Sequence, residues 1–175
     1  MLTLNIPGGE VFDEEREMFL YLPDTTLRLE HSLVSLSKWE AAHERPYLSK
    51  GPMSREEELD YIRCMTLTQN VDGGVFQRIT GRNLAEINRY INAPMSATRP
   101  RKNEDKAPAR EPMTAELFYA IMIELGIPFE CQKWHLNRLI TLIRVCQLRK
   151  TPPRKMTAEE RRKLNANRKQ RRNSR

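Results

Sequence analysis

Leu2, Leu4 and Ile6 alternate with Thr3 and Asn5 ahead of Pro7-Gly8-Gly9, the period-two pattern of a short strand that ends in a turn. Phe19/Tyr21 and Leu27/Leu29 repeat that period around Pro23-Asp24, so residues 1–31 predict a small β-containing element. From Ser32 the spacing becomes helical. Leu33, Leu36 and Trp39 recur at three-residue steps and predict one buried face of a helix over 32–43 that stops before Pro46. Ser54 followed by Glu57 is a capping box, because each side chain can satisfy the other residue's free backbone N–H. The helix it opens has Leu59, Ile62, Met65 and Leu67 as its apolar face. Leu84, Ile87 and Ile91 mark a third helix, closed by Pro94.

Residues 95–112 carry Pro100, Pro108 and Pro112 among alternating charges with no apolar period, which predicts an exposed loop. Thr114 then caps "AELFYAIMIEL", stopped by Gly126. This segment is apolar nearly all round and predicts a helix buried on most sides. Pro128 begins a helix running to about residue 148, and the short connection makes it the antiparallel partner of 114–125. Beyond Thr151-Pro152-Pro153, Thr157 and Glu160 cap a last helix with almost no apolar face. The fold class is therefore mainly α: a helical core domain over 32–150, the small N-terminal β element over 1–31, and a basic helical tail over 151–175.

A chain of 175 residues suffices for one real hydrophobic core with an appendage. At 39% apolar and 30% charged residues, part of it is expected to stay solvated. The charge locates that part. Residues 148–175 hold twelve Lys/Arg against two Glu, a net +10, so the chain's total of +7 leaves about −3 for everything before them. Cys64, Cys131 and Cys146 are an odd number without disulfide spacing, and the start has no secretory pattern. Glu124, Lys133, Arg138 and Arg144 interrupt the apolar runs well short of the roughly 20 residues that a bilayer crossing needs. These features point to a reducing, cytoplasmic setting and no membrane.

Cys131 and His135 lie four residues apart in "IPFECQKWHLNRLITLIRVC" and would share a face on one helix, as two zinc ligands do. Further ligands are wanting: Cys146 falls fifteen residues beyond Cys131, about 22 Å along a helix. A metal-dependent nuclease built on His135 is thereby disfavoured, and no cofactor is expected. Cys64 or Cys131 would need His31, His43 or His135 beside it to act as a nucleophile, which no spacing imposes. Glu56, Glu57 and Glu58 open a helix where they complement its dipole. Gly8-Gly9 and Gly73-Gly74 read as turns, lacking the context of a phosphate loop. No catalytic site is expected and the chain does not read as an enzyme. Its strongest physical signal is the tail, where Arg161, Arg162, Lys163, Arg168, Lys169, Arg171 and Arg172 could contact a nucleic-acid backbone or an acidic protein surface. The tail has no aromatic residue for base stacking.

Together "LRLEHSLVSLSKWEAAHERPYLS", "EEELDYIRCMTL", "INRYINAPMSAT", "IPFECQKWHLNRLITLIRVC" and "PPRKM" resemble the tail assembly chaperone proteins of long-tailed bacteriophages, from about Leu27 to the C-terminus. The resemblance implies a non-enzymatic protein of the host cell cytoplasm, absent from the mature virion. It would bind the long, aggregation-prone tape measure protein and keep it soluble while tail tube protein subunits assemble. It also implies that such proteins are often made in two lengths by ribosomal frameshifting. On this reading Trp39 and Tyr47 are candidate partner-binding anchors, since large aromatics dominate interface energies. A homo-oligomer, and nucleic acid held by the basic tail, are the other partners to consider.

Overall fold

In the computed structural model the described residues are 1–13, 17–49, 51–98, 112–150 and Arg162. The fold is mainly α with a small β element at its N-terminus. That element is a single long antiparallel ribbon broken once. Strand β1 (Leu2–Ile6) pairs with β4 (Thr25–Leu29), and β2 (Gly9–Asp13) pairs with β3 (Met18–Leu22), nested inside them. The break falls where Pro7 and Pro23 withhold ladder donors. Gly8 is required there, because a Cβ on it would stand 2.4 Å from the Leu22 carbonyl oxygen. Its N–H donates to Asp24 Oδ1 at 2.5 Å, and Arg78 Nη1 donates to the Pro7 carbonyl at 2.6 Å, fixing the joint to the body.

The proximal half of the ribbon is two-faced: Leu4, Ile6, Leu27 and Leu29 are buried while Thr3, Asn5, Thr26 and Arg28 are exposed. The free edge of β4 is covered by the chain that leaves α2 (Arg55–Met65). Leu67 N–H donates to the Arg28 carbonyl at 2.7 Å and Glu30 N–H to the Met65 carbonyl at 2.9 Å. Leu67 is consequently outside the helix and exposed, not part of its apolar face.

Among the described residues, three of the α-helices start at Ser32, Ser54 and Thr114 as the sequence predicts. Helix α1 (Leu33–His43) is capped by a reciprocal Ser32/Ser35 pair and ends at Glu44 with φ 49°. The Ser54/Glu57 capping box of α2 forms as the spacing predicts, with bonds of 2.8 and 3.2 Å. Gly73-Gly74 departs from the turn expected there: Asp72 accepts from Gly74 N–H at 2.8 Å and starts the short α3 (Gly73–Gln77). Thr80 caps α4 (Gly81–Ile91), and Thr114 caps α5 (Ala115–Leu125), which stops at Gly126 with φ 67°. The final segment is neither one helix from Pro128 nor antiparallel to α5, because Lys150 Nζ donates to the Glu124 carbonyl and the two C-terminal ends lie together. A 3-10 turn (Phe129–Lys133) gives way to extended Trp134 before α6 (Leu136–Lys150). Tertiary pairing opens this gap, since Leu136 N–H donates to the His31 carbonyl at 2.7 Å and Ser32 bridges His135.

The core has two apolar clusters. One joins the proximal ribbon to Trp39, Tyr61, Ile62, Met65 and Ile87. The other joins Leu33 and Leu36 to Phe118, Met122, Leu136, Leu139 and Ile143. Leu33, Leu36 and Trp39 are all buried, as their spacing predicts, but the face they form is divided: α1 is a strut between the clusters, with Trp39 in the first and the two leucines in the second. The N-terminal element contributes to the same core as the helices, except for its distal half. Helix α5 is less buried than its composition predicts, with Ile123 67% and Leu117 41% exposed. Among the described residues no helix is long and apolar enough to cross a membrane.

Candidate functional site

The segment that raised the question of a metal or a nucleophile forms the clasp between the two clusters. His135 Nδ1 accepts from Asn137 N–H at 3.2 Å, which leaves the Nε2 proton to be donated to the Tyr90 carbonyl at 3.0 Å. Asn137 Nδ2 donates to the carbonyls of Ile91 and Ala93, both at 2.9 Å, satisfying the C-terminal end of α4. The His135 ring lies 5.2 Å from that of His31, whose Nδ1 is 2.5 Å from Tyr61 Oη. Burial, and after it the neighbouring His135, lowers His31 to a pKa of about 3. Burial also lowers His135, against the opposing pull of its bond to the Tyr90 carbonyl. Both rings are neutral at pH 7 and hold backbone and phenol groups in place.

Cys131 is buried on the 3-10 turn, and the break at Trp134 removes the shared helical face on which it and His135 would have met as ligands. Burial and then Glu130 raise its thiol pKa, and burial raises that of Cys64, the reverse of what activates a nucleophile. Among the described residues no group of three or more His, Cys, Asp or Glu is placed to hold a metal ion.

The two candidate anchors have different fates. Trp39 is 1% exposed, donates from Nε1 to the Glu57 carbonyl at 3.2 Å and stacks on His43 at 4.3 Å. It is a core residue and offers no surface to a partner. Tyr47 is half-buried, stacked on Tyr61 with centroids 3.9 Å apart, and its N–H donates to Glu40 Oε1 at 2.8 Å. One side of it lines a cleft of about 70 Å³ between α2 and α4, walled by Met53, Ile62, Leu84, Ile87 and Ile91, with Glu58 and Asn88 at its polar rim. Burial and then Glu58 raise the Tyr47 phenol well above its ordinary range, so it stays a neutral, largely apolar wall. Ligand pockets for small molecules run to roughly 300–1,000 Å³. This cleft has room for a single aliphatic side chain presented by another macromolecule.

No family model, curated protein or solved structure matches this chain. Its functional reading rests on its own residues.

Of the basic tail, Arg162 is helical and exposed. Arg161, Lys163, Arg168, Lys169, Arg171 and Arg172, and the helix expected to carry them, lie outside the described residues, as does most of the 95–112 loop.

Two surfaces escaped the sequence reading. The distal half of the ribbon exposes Phe12, Met18, Phe19 and Tyr21, and β2 and β3 have each other as their principal packing partners. Strand alternation puts Glu10, Phe12, Phe19 and Tyr21 on one face, where Phe12 and Phe19 rings lie 5.2 Å apart. The second surface is the C-terminal end of the α5/α6 pair, where Ile123 and Leu148 are exposed. The alternation around Phe19 and Tyr21 signalled a strand, but one side of a strand looks like the other until the body it packs on is known. The signal that could have found both surfaces is excess: more apolar positions in 9–22 and 115–125 than one buried face requires.

Proposed function

We propose that the protein is a tail assembly chaperone of a long-tailed bacteriophage, which binds the tape measure protein and keeps it soluble while tail tube subunits assemble around it. The reading rests on the sequence stretches that resemble that family. The observation that carries it into a mechanism is the apolar cleft between α2 and α4, with Tyr47 as one wall. An amphipathic helix of the partner inserts one aliphatic side chain there and lays polar neighbours against Glu58 and Asn88, the helix-in-groove mode of recognition. A contact of that size is weak singly and suits repeated, reversible holding along a long helical chain that must later be released to the tube. Acylation, hydrolysis and redox chemistry have no place in this reading, and the protein acts as a binding protein in the host cytoplasm.

The test is co-expression with the tape measure protein of the same genome, followed by affinity capture after nuclease treatment at low and high salt. Salt-resistant recovery of soluble tape measure protein supports the reading. Asn88→Arg, at the exposed rim of the cleft, should abolish recovery while leaving the fold intact. Undiminished recovery would move the contact to another surface, and no recovery by the native chain would remove the chaperone role.

A second reading is favoured by the net charge of +10 over residues 148–175, which we propose continues as a helical basic tail able to bind nucleic acid. Contacts with phosphates release counterions, so this binding would weaken steeply with salt, where insertion into the cleft would not.

A further inference from the structure

We infer that two copies of this chain associate by reciprocal exchange of the distal ribbon, the arm of each seated on the C-terminal end of the α5/α6 pair of the other. The two surfaces are complementary in character as well as in charge. The arm, residues 9–22, carries Glu10, Asp13, Glu14, Glu15 and Glu17 against Arg16, a net −4, around exposed Phe12, Met18, Phe19 and Tyr21. At the other site, Lys150 Nζ donates to the Glu124 carbonyl at 2.7 Å and so sets the ends of α5 and α6 side by side. That end exposes Ile123 and Leu148 and carries Arg144, Arg149 and Lys150 against Glu124, a net +2.

Each surface is anomalous without a cover. An isolated two-stranded hairpin is at best marginally stable in water, and β2 and β3 expose apolar side chains and, among the described residues, pair with no further strand. Helix α5 is apolar nearly all round, yet its outer residues are uncovered. Pairing of one arm with another would bring two net −4 segments together, which like-charge repulsion opposes. Folding the arm onto its own α6 is opposed by the joint, where the Gly8–Asp24 and Arg78–Pro7 bonds fix its departure from the body. A two-fold dimer satisfies all the surfaces at once, since each copy gives one arm and receives one, and the assembly closes. It requires neither the tape measure protein nor the cleft between α2 and α4.

The experiment is sedimentation of the full, nuclease-treated chain across a wide concentration range, with charge-reversed variants. The native chain should show twice the monomer mass. Glu10→Lys, Asp13→Lys and Glu17→Lys together take the arm from net −4 to +2, the charge of its seat, and Arg144→Glu with Arg149→Glu take the seat from +2 to −2, the sign of the arm; each variant alone should sediment at the monomer mass. Mixed in equal amounts, the two should regain the doubled mass, because each reversed surface then faces its complement. Phe19→Ser with Tyr21→Ser, which changes exposed side chains only, should give the monomer mass at any salt. A native chain that stays monomeric, variants that still dimerise, or a mixture that fails to recover would each overturn the proposal.

Discussion

The Glu40 carboxylate accepts a hydrogen bond from the backbone N–H of Ala115 through Oε2 at 2.7 Å, joining α1 to the first turn of α5 across 75 residues of chain. Its other oxygen accepts from Tyr47 N–H at 2.8 Å. One buried anion thus stabilises a helix N-terminus, where its charge suits the dipole, and fixes the loop that presents Tyr47 to the cleft.

Replacing Glu40 by Ala leaves two buried backbone donors without an acceptor. The expected loss is on the order of 3 kcal/mol. A urea titration followed by helical circular dichroism should show the midpoint fall accordingly, with Glu40→Gln, which keeps one acceptor oxygen, lying between.

The two buried histidines make stability depend on pH. His31 has its pKa lowered from 6.5 to about 3 in the folded chain, so between those values the unfolded chain binds the proton and the folded chain does not. Stability is therefore fully present above pH 6.5 and is lost as the pH falls toward 3, by about 1.4 kcal/mol per pH unit from His31 alone. His135, lowered in the same direction, steepens the loss. Unfolding midpoints measured at pH 7 and pH 5 should differ in this sense, and His31→Gln should flatten the slope; an equal slope in the variant would refute the assignment.

Trp39→Ala should destabilise the fold by about 3–5 kcal/mol, the usual effect of emptying a fully buried aromatic site. Any loss of partner binding should accompany loss of helical signal. At concentrations low enough for the chain to be monomeric, Phe19→Ala should leave the midpoint within about 0.5 kcal/mol, because its side chain is 68% exposed in a single copy.

Gly8→Ala places a Cβ against the Leu22 carbonyl oxygen, which is backbone and cannot swing away. The ribbon joint must shift, at a cost of about 1–3 kcal/mol. Amide exchange should quicken across β2 and β3 while that of α1 stays slow, if the joint governs the arm as its hydrogen bonds indicate.

Much of the architecture is local and was legible in the sequence. Capping pairs such as Ser54/Glu57, the Gly126 stop and the change from period two to helical spacing at Ser32 act over a few residues, so order and type of elements follow from neighbours in the chain. What a side chain does at long range was not legible. Trp39 looked like a partner anchor and is core, because only the arrival of α2 covers it. His135 and Cys131 had the spacing of a ligand pair, disfavoured for want of further ligands, but that His135 is a clasp was not legible: pairing of Leu136 with the His31 carbonyl breaks the helix that would have aligned it with Cys131. The exposed arm and the uncovered end of α5 carry the same kind of apolar residue as the core. By itself the sequence determined the type of most segments, though not β2, α3 or the break at Trp134, and that the charge lies at the C-terminus. The tertiary structure alone decided which apolar faces meet, since burial depends on what packs opposite and not on the residue itself.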